Sequence, residues 1–118
     1  MLIKNALASV AVRDLASAVK WYEKLIGRPA DSTPMPEVAE WKFERGGWLQ
    51  IYQLPERAGA GSVTLAVSSI DEQSEQLTRL GIATPQRSSG TTVKTVMITD
   101  PDGNHIAFAE AIDPSMAR

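Results

Sequence analysis

The sequence predicts an α+β fold made of two copies of one β-α-β-β unit, with room for a further strand in each loop. Three observations predict it. Period-two alternation of apolar residues precedes each of two stretches with helical apolar spacing. The order of elements after Pro55–Gly61 repeats the order before it. Sliding the first half onto the second by 55 residues sets Val10 on Leu65, Val12 on Val67, Leu15 on Ile70, Tyr22 on Leu77 and Leu25 on Leu80. A length of 118 residues suits one domain, residues 1–118, so the repeats are expected as modules of about 1–56 and 61–112.

In the first module, Ala8, Val10 and Val12 alternate with Leu7, Ser9 and Ala11, a half-buried strand closing the stretch Leu2–Val12. Asp14 stands where an N-cap belongs. Leu15, Ala18, Val19, Tyr22, Leu25 and Ile26 then form the apolar stripe of a helix over Leu15–Ile26, and Gly27 stops it. Arg28–Glu37, with Pro29, Pro34 and Pro36, is expected to be a linker holding at most an edge strand. Trp41–Glu44 and Trp48–Tyr52 flank Arg45-Gly46-Gly47 and read as a hairpin turning on the glycine pair. A two-residue turn there would set Phe43 opposite Gln50 and Trp41 opposite Tyr52.

In the second module, Val63, Leu65 and Val67 alternate with Ser62, Thr64 and Ala66. Ser69 and Glu72 have capping-box spacing and open a helix with Ile70, Gln73, Leu77 and Leu80 on its stripe, followed by Gly81. Ser88–Thr91 is expected to be a polar loop, and Thr92–Thr99 with Asn104–Ala109 the closing hairpin. Between them, Asp100-Pro101-Asp102-Gly103 reads as a tight turn in which Pro101 sets φ and Gly103 supplies a positive φ. Asp100 and Asp102 are expected to bond within their own turn, and Glu56, Arg57 and Glu110 to be solvated at strand ends.

Composition excludes several classes of function. Hydrophobic residues make 43% of the chain and charged ones 22%, with a net charge of -2 and cations scattered singly. That pattern carries no electrostatic footprint for nucleic acid or an anionic membrane. The absence of cysteine removes thiolate chemistry, disulfides and Cys-based zinc sites. The apolar run in MLIKNALASVAVRDL is too short and too broken for a signal peptide or a membrane span, so a cytoplasmic location is expected. No Ser-His-Asp spacing, phosphate loop or paired carboxylates stand out.

If Val10, Val12, Leu49, Ile51, Val63, Leu65, Val67, Val96, Ile98, Ile106 and Phe108 pack under the helices, the alternate residues turn to the opposite face. Those are Leu7, Ser9, Trp48, Gln50, Tyr52, Ser62, Thr64, Thr95, Met97, Thr99, His105 and Ala107, joined by Trp41 and Phe43 in the hairpin register above. An aromatic wall then faces one of small and hydroxyl residues. Such a mixture suits an organic ligand with a flat or apolar body and a few hydrogen-bonding groups.

The stretches VAVRDLASAVKWYEKLIG and DPDGNHIAFAE, with SVTLAVSSIDEQSEQLTRLGI between them, make the whole chain resemble the vicinal oxygen chelate superfamily. That superfamily includes glyoxalase I, bleomycin-resistance proteins and extradiol dioxygenases. The resemblance implies two βαβββ modules whose sheets curve around a cleft, helices on the outer face, usually completed in a homodimer. It speaks for fold more than for activity, because this superfold hosts several chemistries. In the metal-binding members, four strand positions supply His, Gln or Glu ligands, and these fall here on Leu7, Gln50, Ser62 and Ala107. Leucine and alanine offer no lone pair, and serine is a weak neutral ligand for Zn, Ni or Fe(II). Neither a metal nor another cofactor is therefore expected.

The function expected is metal-independent binding of a small organic ligand, of the glyoxalase/bleomycin-resistance type, by a homodimer. The ligand-binding candidates are Trp41, Phe43, Trp48, Gln50, Tyr52, Thr95, Met97 and His105. The alternative is a lyase or isomerase of the same superfamily using His105 or Gln50, with or without a divalent metal. His105 is the only histidine and the natural proton carrier near neutral pH. The rings of Trp41, Phe43, Trp48 and Tyr52 would serve equally as the core of a dimer interface.

Overall fold

A computed structural model describes residues 1–83 and 86–115. Two compact units divide the chain: Met1–Gly61 with Pro101–Asn104, and Ser62–Asp100 with the chain from His105 on. The first unit holds strand β1 (Leu7–Val12), helix α1 (Leu15–Ile26) and strands β2 (Ser32–Met35), β3 (Val38–Lys42) and β4 (Trp48–Gln53). Its sheet runs β1-β4-β3-β2, with β1 and β4 parallel and the other neighbours antiparallel. The second unit repeats this with β5 (Ser62–Ala66), α2 (Ile70–Arg79), β6 (Gln86–Ser89), β7 (Val93–Thr99) and β8 (His105–Ala111), in the order β5-β8-β7-β6. Each unit is thus a βαβββ module. A parallel partner cannot be reached by a tight turn, and here the helix and two antiparallel strands intervene before it pairs.

Both helices begin by the same device. Asp14 Oδ2 accepts the Ser17 backbone N–H at 3.1 Å, and Ser69 Oγ accepts that of Glu72 at 3.2 Å. A side chain from the end of the last strand in each sheet satisfies a second free N–H. Gln53 Oε1 accepts from Leu15 N at 2.9 Å, and Glu110 Oε1 from Ile70 N at 2.8 Å. Glu110 is therefore a half-buried helix cap rather than a solvated strand end. Gly27, at φ 92°, closes α1 with its N–H on Glu23 O at 2.8 Å.

Beneath α1 lie Val10, Val12, Trp41, Leu49 and Ile51, fully buried with Tyr22 of the helix itself. In the second unit Ile106, Phe108, Val96 and Ile98 are buried, together with Ile70 and Leu77 of α2. The expected inward set is thus buried apart from Leu65 and Val67, which are half-buried. Leu80 lies past the end of α2 and is exposed, because the helix stops at Arg79 before another turn can carry it inward. Ser88 and Ser89 belong to β6 rather than to a loop: a polar strand at a sheet edge shows no apolar alternation.

The hairpin between β3 and β4 departs from its expected register. Its loop runs from Phe43 to Gly47, closed by Phe43 N–H on Gly47 O at 2.8 Å and Gly46 N–H on Phe43 O at 2.9 Å. Trp41 consequently pairs with Leu49 and Glu40 with Gln50. A shift by an odd number of residues exchanges the faces of one strand against its partner.

Asp102, in the turn Asp100–Gly103, also reaches outside that turn. Asp102 Oδ2 accepts the Arg13 backbone N–H at 3.1 Å, and its carboxylate lies 3.6 Å from Arg13 Nε. The Asn104 side chain is fully buried: Oδ1 accepts from Gly59 N at 3.0 Å and Gly61 N at 2.8 Å, while Nδ2 donates to Ala11 O at 2.8 Å. Gly59 admits no side chain here, since its φ is +93° and a Cβ would meet Asp102 O at 2.5 Å.

Candidate functional site

The face of the first sheet turned away from α1 carries the chemistry. Parallel pairing sets Leu7, Ser9 and Ala11 of β1 beside Trp48, Gln50 and Tyr52 of β4. Antiparallel pairing sets Lys42, Glu40 and Val38 of β3 on their other side. Gln50 sits in the middle row of this face, half-buried. It is held from both flanks: Ser9 Oγ donates to Gln50 Oε1 at 3.0 Å, and Gln50 Nε2 donates to Glu40 Oε2 at 2.8 Å. A polar ladder therefore crosses three strands.

Rings flank the ladder within β4. The half-buried Trp48 lies on one side, with Lys42 Nζ 5.9 Å from its ring centroid, and the half-buried Tyr52 on the other. Lys42 is anchored through its backbone. Its N–H donates to Asp31 Oδ2 at 2.7 Å, and its carbonyl accepts from Arg28 Nη2. The Arg28 guanidinium, and after it the Lys42 N–H, hold the Asp31 carboxyl below the ordinary value of 3.8.

The predicted residues divide between faces. Trp48, Gln50 and Tyr52 share the ladder face. Trp41 does not: it is fully buried on the α1 side, its Nε1 donating to Arg28 O at 3.0 Å and its ring 6.3 Å from that of Tyr22. Phe43 lies in the loop after β3, half-buried, and not opposite Gln50. In the second unit, Thr95, Met97 and His105 share the face turned away from α2, where Thr95 pairs with Ala109, Met97 with Ala107 and His105 with both Ser62 and Thr99. Thr95 Oγ1 and Ser88 Oγ are hydrogen-bonded at 2.6 Å, and His105 is exposed. Small and hydroxyl-bearing residues dominate that face.

Glu40 and Lys42 are the functional candidates that sequence reasoning missed. The signal was present in Val38-Ala39-Glu40-Trp41-Lys42, which alternates once the strand is started at Val38 instead of Trp41.

A divalent metal of the kind the fold suggests finds no matching donors. The four strand positions carry Leu7, Gln50, Ser62 and Ala107, and two of these have no lone pair to give. Of the four, only Gln50 offers a good donor atom, its Oε1. Among the described residues no group of three or more His, Asp or Glu is placed to hold a metal ion. No helix among them is long and apolar enough to cross a membrane.

Known proteins match this architecture. A family model described as a glyoxalase-like domain covers residues 8–109. The crystal structure of a glyoxalase/bleomycin resistance protein from Catenulispora acidiphila DSM 44928 is 34% identical, with a TM-score of 0.82 over 92% of this chain and 99% of that one. TnmS3, an antibiotic binding protein from Streptomyces sp. CB03234, is 21% identical, with a TM-score of 0.78 over 94% of this chain and 98% of its own. A bleomycin resistance determinant encoded on the transposon Tn5 is 18% identical, with a TM-score of 0.72 over 94% of this chain and all of its own, 100%. These last two show a shared fold. No curated protein sequence matches the chain. The match across residues 8–109, carried by two βαβββ modules, places the chain in the glyoxalase-like domain family of the vicinal oxygen chelate superfamily.

Proposed function

We propose that this chain is a metal-independent small-molecule-binding protein that holds an organic ligand with a flat body against Trp48 and Tyr52, hydrogen-bonded across Gln50. The observation that carries this reading is the Ser9–Gln50–Glu40 ladder, set between two half-buried rings on the sheet face turned away from α1. A few fixed polar groups among aromatic rings are what orient an organic ligand. The face bearing Thr95, Met97 and His105 is proposed as a separate ligand-binding face with smaller side chains, and a homodimer as the binding form. Two proteins of the same fold are described as antibiotic binding and as a bleomycin resistance determinant, which agrees with sequestration rather than turnover. The donor chemistry at Leu7, Ser62 and Ala107 supports metal independence.

Isothermal titration with two flat tricyclic probes, proflavine and acridone, tests the reading. Trp48→Ala is expected to weaken whichever probe binds by about tenfold through lost stacking, with the thermal melt unchanged. Unchanged affinity would remove Trp48 from the site. Elemental analysis and native mass spectrometry of the protein as purified supply the second arm: a metal-free dimer carrying an organic mass supports binding. Near-stoichiometric Zn, Ni, Mn or Fe that survives dialysis would move the assignment to a lyase or isomerase built on Gln50 and His105.

A further inference from the structure

We infer that Glu40 makes the ladder face selective for ligands bearing a cationic or N–H-rich group beside their flat body, a reading that rests on the binding function proposed above and names its ligand class. An ionised carboxylate can only accept hydrogen bonds, so Glu40 requires Gln50 to turn its Nε2 toward it. The amide oxygen is thereby turned to Ser9, whose hydroxyl must donate. The ladder thus has one sense, from Ser9 to Glu40. What remains unspent is mostly acceptor capacity: a lone pair on Ser9 Oγ, one on Gln50 Oε1, and the whole of Glu40 Oε1, against a single remaining Gln50 N–H. An acceptor row ending on a negative charge is complementary to a donor-rich cation.

Two features separate this from a device for pairing strands. The equivalent row of the second sheet, Thr64–Ala107–Met97, has the same topology and carries no charge and no side-chain ladder, so the module folds without one. The cation nearest in register, Lys42, is turned to the ring of Trp48, and among the described residues it forms no ion pair with Glu40. Glu40 is also half-buried, which limits its screening by salt.

The test compares proflavine, a cation at neutral pH, with acridone, a neutral tricycle of like size, by isothermal titration against the whole chain. The native protein is expected to bind proflavine about tenfold more tightly than acridone, the scale of one charged hydrogen bond. Glu40→Gln should abolish that preference, lowering proflavine affinity by more than acridone affinity, and Glu40→Asp should restore part of it. A preference absent from the native protein, or retained in Glu40→Gln, overturns the role of Glu40. If both probes bind equally and Trp48→Ala weakens both, the binding function stands and only the charge selectivity falls. If neither probe binds, the binding reading falls and takes this inference with it. Should Glu40→Gln not fold, Glu40→Asp decides with the native protein: a proflavine preference narrower than the native one supports the inference, and an equal preference refutes it.

Discussion

Asn104 carries more of the first unit than its size suggests. Its fully buried amide satisfies two backbone donors, Gly59 N and Gly61 N, and one buried backbone acceptor, Ala11 O. Asn104→Ala would leave Gly59 N, Gly61 N and Ala11 O without those partners, and unsatisfied buried groups cost about 1–3 kcal/mol each before relaxation. A loss of about 2–4 kcal/mol in urea unfolding is expected, with Asp102→Ala costing less because its partner Arg13 is exposed. An Asn104→Ala protein as stable as the native one would show the amide to be dispensable. The ligand face is decided at the same scale. Gln50 was legible as a polar residue on a strand, but its orientation came from Glu40, which a strand started at Trp41 had left outside the element.

Among the elements, the helices were the most legible. The stripe from Leu15 to Ile26, Asp14 before it and Gly27 after it are all local, and α1 begins and ends where they place it. The caps from Gln53 and Glu110 were not legible, because each reaches its helix from a strand that follows many residues later. Gln53→Ala and Glu110→Ala are each expected to cost about 1 kcal/mol in chemical denaturation, as lost caps do. Leu65→Asp places a charge beside Phe108 on the helix side of the second sheet and should cost about 3 kcal/mol or more. A fully folded, equally stable Leu65→Asp protein would reverse the face assignment of β5.

Acid tests the local anchors together. Asp14, Asp31, Asp71 and Asp113 are held below 3.8 by hydrogen bonds from the Ser17 side chain, Arg28, Arg87 and the Ser115 backbone N–H respectively. A carboxylate whose folded pKa is lowered binds its proton less readily in the folded state. Its contribution is therefore complete above the unfolded value and lost as pH falls through the folded one. The thermal midpoint should respond to these four groups only below about pH 4–5, and Asp14→Asn should remove part of the decline. Unaltered acid sensitivity in Asp14→Asn would count against the cap.

For the whole molecule, the expectation concerns metal. Anything that binds only the folded state raises its melting temperature. EDTA should therefore leave the melt of the purified protein unchanged, and Zn or Ni added at low excess should not raise it. A clear rise with one ion would restore a metal site that the residues at Leu7, Ser62 and Ala107 do not supply. Size-exclusion chromatography with light scattering reads the proposed homodimer directly.

What the sequence by itself determined is the pair of modules: the α+β class, the repeat at 55 residues, the start of both helices, the end of α1 and the buried face of most strands. Each follows from spacing along a short stretch, where period two or period 3.6 leaves a visible record. Only the tertiary structure decided the register of β3 on β4, the pairing of β6, the burial of Trp41 and the ladder through Gln50. The physical reason lies in the loop Phe43–Gly47. Its length sets which residues of two strands meet, and an odd change in register exchanges faces without altering the apolar pattern of either strand. Trp41, expected opposite Tyr52 on the ligand face, thus became core, and Glu40 rather than Phe43 stands beside Gln50.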